Sequence, residues 1–152
     1  MAAAGNIHAT AVLLGDRGVL ITGASGAGKT TLALALVREC RSRGWFAALV
    51  ADDQLFLSSQ GGHLLCSVPV SIAGLAEVHG LGPRAIQAEP SMVIDLLVRL
   101  VPKPVAPRFQ DEAVERLAGC GVPRIDVAER NVAAAVPAVA AWLGWPPFRQ
   151  KC

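Results

Sequence analysis

The sequence predicts an α/β fold, a mixed sheet built around a phosphate-binding loop and opened by an N-terminal hairpin. Three observations predict it. Gly23-Ala24-Ser25-Gly26-Ala27-Gly28-Lys29-Thr30 satisfies the G-x-x-x-x-G-K-[ST] pattern of a P-loop. Gly18-Val19-Leu20-Ile21-Thr22 before it is a short apolar run of the kind that forms a buried strand, and Thr31 to Arg38 after it are helix formers without Gly or Pro. Ile7 to Leu14 is a further apolar run, joined to the loop strand by the turn residues Gly15-Asp16-Arg17, which predicts the hairpin.

The remaining elements follow in order. The helix after Lys29 should end near Gly44, a C-cap residue. Phe46 to Ala51 has the length and apolarity of a core strand and ends in Asp52-Asp53. Gln54 to Leu57 and His63 to Val68 flank Gly61-Gly62 and read as a hairpin. Ile72 to Leu81, with its glycines and Glu77-Val78-His79, has no clear periodicity. Met92 to Val101 reads as one core strand, and the prolines between 102 and 107 as a loop. Asp111 to Ala118 reads as a short helix, Val122 to Val127 as a last strand, and Asn131 to Leu143 as a helix kinked or divided at Pro137. Trp142, Trp145 and Phe148 are expected to cover the core edge or an oligomer contact, with 144–152 a flexible tail.

Composition narrows the classes. With 152 residues, 53% of them hydrophobic and 17% charged, the chain suits a single globular domain over 1–152 rather than a disordered one. A net charge of +2 points to neither a nucleic acid nor a membrane surface as partner. Cys40, Cys66, Cys120 and Cys152 include no C-x-x-C pair, so neither a zinc site nor a disulfide framework is expected and a reducing cytoplasm is the expected setting. The opening Met1-Ala2-Ala3-Ala4-Gly5 lacks the charged region of a secretory signal, and no apolar run reaches transmembrane length.

The chemistry expected of the loop is nucleotide binding. Glycines let backbone N–H groups turn toward an anion, and the helix N-terminus adds partial positive charge. Lys29 would reach the β- and γ-phosphates of ATP and the Thr30 hydroxyl would ligate Mg²⁺. Asp52 and Asp53 end an apolar strand, where a P-loop fold holds the metal or activates a nucleophile. Alternation along the chain sends the two side chains opposite ways. Glu77 alone would be a surface carboxylate, and His8 alone a structural histidine.

As an ordered set, these residues resemble the catalytic domain of the HPr kinase/phosphorylase family. The set comprises His8, Gly18-Val19-Leu20-Ile21-Thr22-Gly23, Ser25-Gly26, Gly28-Lys29-Thr30, Val50-Ala51-Asp52-Asp53 and Glu77-Val78-His79-Gly80-Leu81-Gly82. Weaker likeness follows at Glu115-Arg116-Leu117, Val122-Pro123-Arg124-Ile125 and Arg130-Asn131-Val132-Ala133. The resemblance implies an ATP- and Mg²⁺-dependent kinase, with or without phosphorylase activity, acting on a seryl residue of an HPr-like phosphocarrier of a phosphotransferase system. It implies His8, Lys29, one or both of Asp52 and Asp53 (Asp53 favoured as the base) and Arg116 as catalytic residues. Residues 23–30 would bind the nucleotide, and Thr30 and Glu77 the metal. It also implies a short single-domain form and a homo-oligomer. Two positions depart from the pattern. His79 replaces an Arg, and the loop before Arg130 lacks the usual Pro-Gly. The alternatives are a non-catalytic ATP-binding regulatory module and a small-molecule P-loop kinase.

Overall fold

The structure, a computed structural model, describes residues 5–52, 54–68, 75–86 and 91–149. The described strands are β1 (Gly5–Ile7), β2 (Thr10–Leu14), β3 (Arg17–Thr22), β4 (Ala47–Ala51), β5 (Leu55–Gln60), β6 (His63–Ser67), β7 (Leu75–Val78), β8 (Gly82–Ala85), β9 (Ser91–Val93), β10 (Leu96–Val101), β11 (Ala113–Leu117) and β12 (Cys120–Ala128). The helices are α1 (Lys29–Ser42) and α2 (Val132–Leu143).

The main sheet runs β11-β12-β10-β3-β2-β4, and a smaller one β1-β5-β6-β9. β12, β10 and β3 are parallel, while β2 runs antiparallel to both β3 and β4. β3, β4, β10 and β12 therefore all end at the same edge of the sheet, where ligands of open α/β folds collect. The expected hairpin of β2 and β3 is present, turning at Gly15-Asp16. This is the α/β, mixed-sheet architecture of the P-loop type.

Alternation sorts the strands' side chains into two cores. Val19 and Ile21 of β3, with Val98 and Leu100 of β10, pack against Leu32, Leu36 and Cys40 of α1 and Val139 and Leu143 of α2. Leu20 and Leu97 face the other way, toward Leu55, Leu57, Leu64 and Cys66 of the smaller sheet. The main sheet is thus the middle of three layers. Burial pushes the Cys66 thiol up to about 12, so it fills this second core as a small apolar group rather than a nucleophile.

Four expectations are corrected. Ile7 to Leu14 is not one strand. It breaks at His8-Ala9, where β1 leaves the smaller sheet and β2 enters the main one. Met92 to Val101 breaks likewise at Ile94-Asp95. There the Gly18 N–H donates to Asp95 Oδ2 at 2.8 Å and the Asp95 N–H donates to the Gly18 carbonyl at 2.8 Å, so one aspartate satisfies the β3 backbone at the crossing. Both breaks have the same cause. A run that feeds two layers must change sheets, and apolarity alone does not mark where. Asp111 to Ala118 is no helix but contains β11, paired antiparallel with β12. The turn at Ala118 and Gly119 has φ +48° and +82°, the hand that closes a two-residue hairpin, and sheet pairing overrides local helix propensity. Pro137 does not divide α2, which starts at an Asn131 cap whose Oδ1 accepts from the Ala134 N–H at 3.2 Å.

In the segment 144–149, Gly144 is half-buried and residues 146–149 are exposed. Trp145 is buried and meets Trp45 edge-on with centroids 5.6 Å apart, under the Arg43 guanidinium. Residues 150–152 lie outside the described residues. Gly18 is fixed by close approach, since a Cβ there would collide with the Val93 carbonyl oxygen. Gly18→Ala should therefore cost about 1–3 kcal/mol of stability, as overpacked sites do. Urea denaturation reads this directly, and an unchanged midpoint would contradict the crossing geometry.

Candidate nucleotide and metal site

The P-loop connects β3 to α1 as its sequence requires. Gly23 is needed for packing, because a Cβ would sit 3.0 Å from Leu100 Cβ and 3.2 Å from Ala27 Cβ. Gly26 and Gly28 are needed for conformation, at φ +78° and +96°. Ala27 is fully buried, and its N–H donates to the Ala24 carbonyl at 3.0 Å. Gly28 caps α1 with no side-chain hydrogen bond, so no cap occupies the first-turn N–H groups and the first turn is a potential anion cradle. Lys29 Nζ donates to the carbonyls of Gly23 at 3.0 Å and Ala24 at 3.2 Å, holding the ammonium across the loop.

Asp52 joins the loop to its surroundings. Its Oδ1 accepts from Thr30 Oγ1 at 2.6 Å and from Thr10 Oγ1 at 3.1 Å, and its Oδ2 accepts from the Glu77 N–H at 2.8 Å. One carboxylate therefore ties α1, β2, β4 and β7 together at the sheet's functional edge. An open cleft of about 590 Å³ lies there, lined by Thr10, Ser25, Gly26, Gly28, Lys29, Thr30, Thr31, Glu77, His79, Arg130 and Val132.

Of the residues expected from sequence, Lys29, Thr30 and Glu77 line this cleft, and Asp52 stands behind it, bonded to Thr30 and Thr10. His8 sits in the link between β1 and β2, on the same edge but exposed and outside the cleft lining. Asp53 lies outside the described residues. Arg116 is not brought in. On β11 it pairs with Gly121 of β12, level with the start of β3 at the far edge, and its guanidinium donates to the Gly119 carbonyl at 2.8 Å. Sequence reasoning did not place Thr10, Thr31, Arg130 or Val132 at the cleft. Thr10, the one fully buried polar residue among those described, left a signal as a hydroxyl in an apolar strand.

A metal can be tested against the donor set. Among the described residues, no three or more His, Cys, Asp or Glu gather as a metal cage. The cleft instead offers the Thr30 hydroxyl and Glu77, with the Asp52 carboxylate behind Thr30. These few hard oxygens fit Mg²⁺, which keeps waters and takes phosphate oxygens rather than a full protein shell.

The fold and the loop define a P-loop-type α/β domain in which Asp52 is hydrogen-bonded to the start of α1 and Glu77 lines the adjoining cleft. A family model, HPr Serine kinase C-terminal domain, matches residues 1–127, and the chain belongs to that family. The HPr kinase/phosphorylase of Clostridium tetani is 39% identical over 76 residues, and that of Mycoplasmopsis pulmonis 36% over the same length. Each match covers 50% of this chain and 23% of the relative, so the chain spans under a quarter of those proteins. The solved structure of the Hpr(Ser) kinase/phosphatase from Coxiella burnetii is similar with a TM-score of 0.74 and 26% identity, over 90% of this chain and 93% of that one. No helix among the described residues is long and apolar enough to cross a membrane.

Removing the Asp52 carboxylate would leave the buried Thr10 hydroxyl and the Glu77 N–H without their acceptor. Asp52→Ala should lower stability by about 1–3 kcal/mol, whereas Glu77→Ala, which removes an exposed side chain, should change it by less than about 0.5 kcal/mol. Equal denaturation midpoints for the two variants would contradict the junction.

Proposed function

We propose that this chain is an ATP-dependent kinase that phosphorylates a seryl hydroxyl on an HPr-like phosphocarrier protein. The observation that carries the reading is the 2.6 Å hydrogen bond from Thr30 to Asp52, which couples the P-loop to a carboxylate at the end of β4 beside Glu77. Membership of the HPr serine kinase C-terminal domain family supports the choice of acceptor.

Phosphoryl transfer is mostly positioning and charge neutralisation. The N–H groups at the start of α1 and the Lys29 ammonium hold the phosphates of ATP. Mg²⁺, held by Thr30 and Glu77 with Asp52 behind Thr30, would neutralise phosphate charge when bound. The acceptor seryl oxygen attacks the γ-phosphorus, the bond to the β–γ bridging oxygen breaks, and ADP leaves. Asp52 already accepts three hydrogen bonds, which suits it to positioning. We assign the seryl proton to Asp53, the next carboxylate in the chain. His8, at the same edge, is assigned to the approach of the acceptor. Arg116 receives no role in this cleft. The same Asp53 would serve a phosphorylase reaction in reverse, and we propose that the forward reaction dominates. We further propose a cytoplasmic setting, consistent with the buried free thiols of Cys40, Cys66 and Cys120.

Lys29→Ala should weaken ATP binding about tenfold or more, from a lost charged contact of roughly 1.5–3 kcal/mol. Calorimetry on the folded variant measures this, and unchanged affinity would remove the P-loop from the account. The reaction itself is tested by incubating the chain with ATP, Mg²⁺ and an HPr-like carrier and mapping the phosphate by mass spectrometry. A seryl phosphate should form and should be lost with Asp53→Asn, and Glu77→Gln should raise the Mg²⁺ needed for half-maximal rate. Carrier that stays unmodified while ATP binds would favour a regulatory module, and ATP turnover without the carrier a small-molecule kinase.

A further inference from the structure

The cleft has two chemically different sides. Thr10, Asp52, Glu77 and His79 stand on the side of β2 and β4, rich in oxygen donors and acceptors. Arg130 and Val132 stand on the other side, where β12 runs into α2. A nucleotide is equally two-sided. Its reacting phosphates need hard oxygen ligands, while its nucleoside presents a flat π-face and an apolar edge.

Arg130 is held in an unusual way for a surface arginine. It is a non-glycine residue at φ +54°, a conformation that L-residues other than Asn and Asp seldom adopt. Its own N–H donates to the Ala27 carbonyl at 3.0 Å and its Nε donates to the Gly26 carbonyl at 3.0 Å, so both backbone and side chain are pinned to the P-loop. Its Nη2 lies 3.6 Å from Glu129 Oε1, and the Glu129 N–H is in turn bonded to the Val101 carbonyl at 2.8 Å. Even so, the side chain remains 68% exposed. If bracing the loop were its whole purpose, the backbone N–H would serve, and a residue suited to positive φ would avoid the strain. The side chain instead carries a planar cation into the cleft beside the half-buried Val132.

We propose that Arg130 and Val132 form the nucleoside seat of the site. The guanidinium plane lies against the face of the nucleobase, and Val132 supplies the apolar edge. Guanidinium planes stack on aromatic faces where an ammonium does not. The assignment rests on the P-loop reading and adds the end of the nucleotide that the P-loop motif does not specify.

The test is calorimetric binding of ATP, ADP and inorganic tripolyphosphate, each with Mg²⁺, to the full chain and its variants. Arg130→Gln keeps a donor for the Gly26 carbonyl but removes the charge and the fork. Arg130→Gly accepts the positive φ and keeps the backbone N–H, so it reports on the seat if the first variant fails to fold. In the folded variants both should weaken ATP and ADP about tenfold and tripolyphosphate less than twofold. Lys29→Ala should weaken all three ligands. Arg130 variants that bind ATP like the parent overturn the seat while leaving the P-loop reading intact. Equal weakening of tripolyphosphate also overturns it, because Arg130 would then serve the phosphate chain as a whole. A parent chain that binds none of the three overturns both.

Discussion

The Asp52 carboxylate is the interaction on which the rest of the site depends. It sits where β4 ends and accepts from Thr30 on α1, Thr10 on β2 and the backbone of Glu77 on β7. None of these segments is adjacent in sequence, and each brings a different function: the phosphate cradle, the buried face of the sheet and the second carboxylate. A hydrogen bond to a charged acceptor is worth about 1.5–3 kcal/mol, so three at one group make a rigid junction. Rigidity matters to the proposed phosphoryl transfer, because that reaction draws most of its acceleration from fixed geometry.

The scaffold delivers that junction by running strands across two sheets. β1 and β9 belong to the small sheet, while β2 and β10, which follow them directly, belong to the large one. Gly18 and Asp95 lock one of these crossings through two reciprocal hydrogen bonds. The crossing at His8-Ala9 puts Thr10 at the start of β2, paired with Ile21 near the end of β3. The main sheet thereby gains an antiparallel strand whose first residue reaches the functional edge, which a wholly parallel sheet would not supply.

What was legible in the sequence follows from what is local. Residues 23–30 carry their own geometry, since two glycines at positive φ, a close-packed Gly23 and a helix start are all specified within the motif. The hairpins at Gly15-Asp16 and Gly61-Gly62 were legible for the same reason. The strand breaks and β11 were not, because they depend on which sheet a segment joins. The placement of Thr10 and Arg130 was not legible, because their partners, Asp52 and the Gly26 carbonyl, are distant in sequence. Arg116 shows the converse. Its place in the family pattern suggested catalysis, yet the β11–β12 register carries it to the far edge of the sheet.

The central claim is that the Asp52–Thr30 junction organises a Mg²⁺–nucleotide site on the P-loop. A crystal structure of the chain with ADP and Mg²⁺ tests it most directly. The account predicts the β-phosphate within hydrogen-bond distance of the N–H groups at the start of α1 and the metal bound to the Thr30 hydroxyl. It also predicts that Asp52 still accepts from Thr10. A nucleotide bound away from residues 23–30, or a metal bound without Thr30 and with Asp52 detached from the loop, would contradict it.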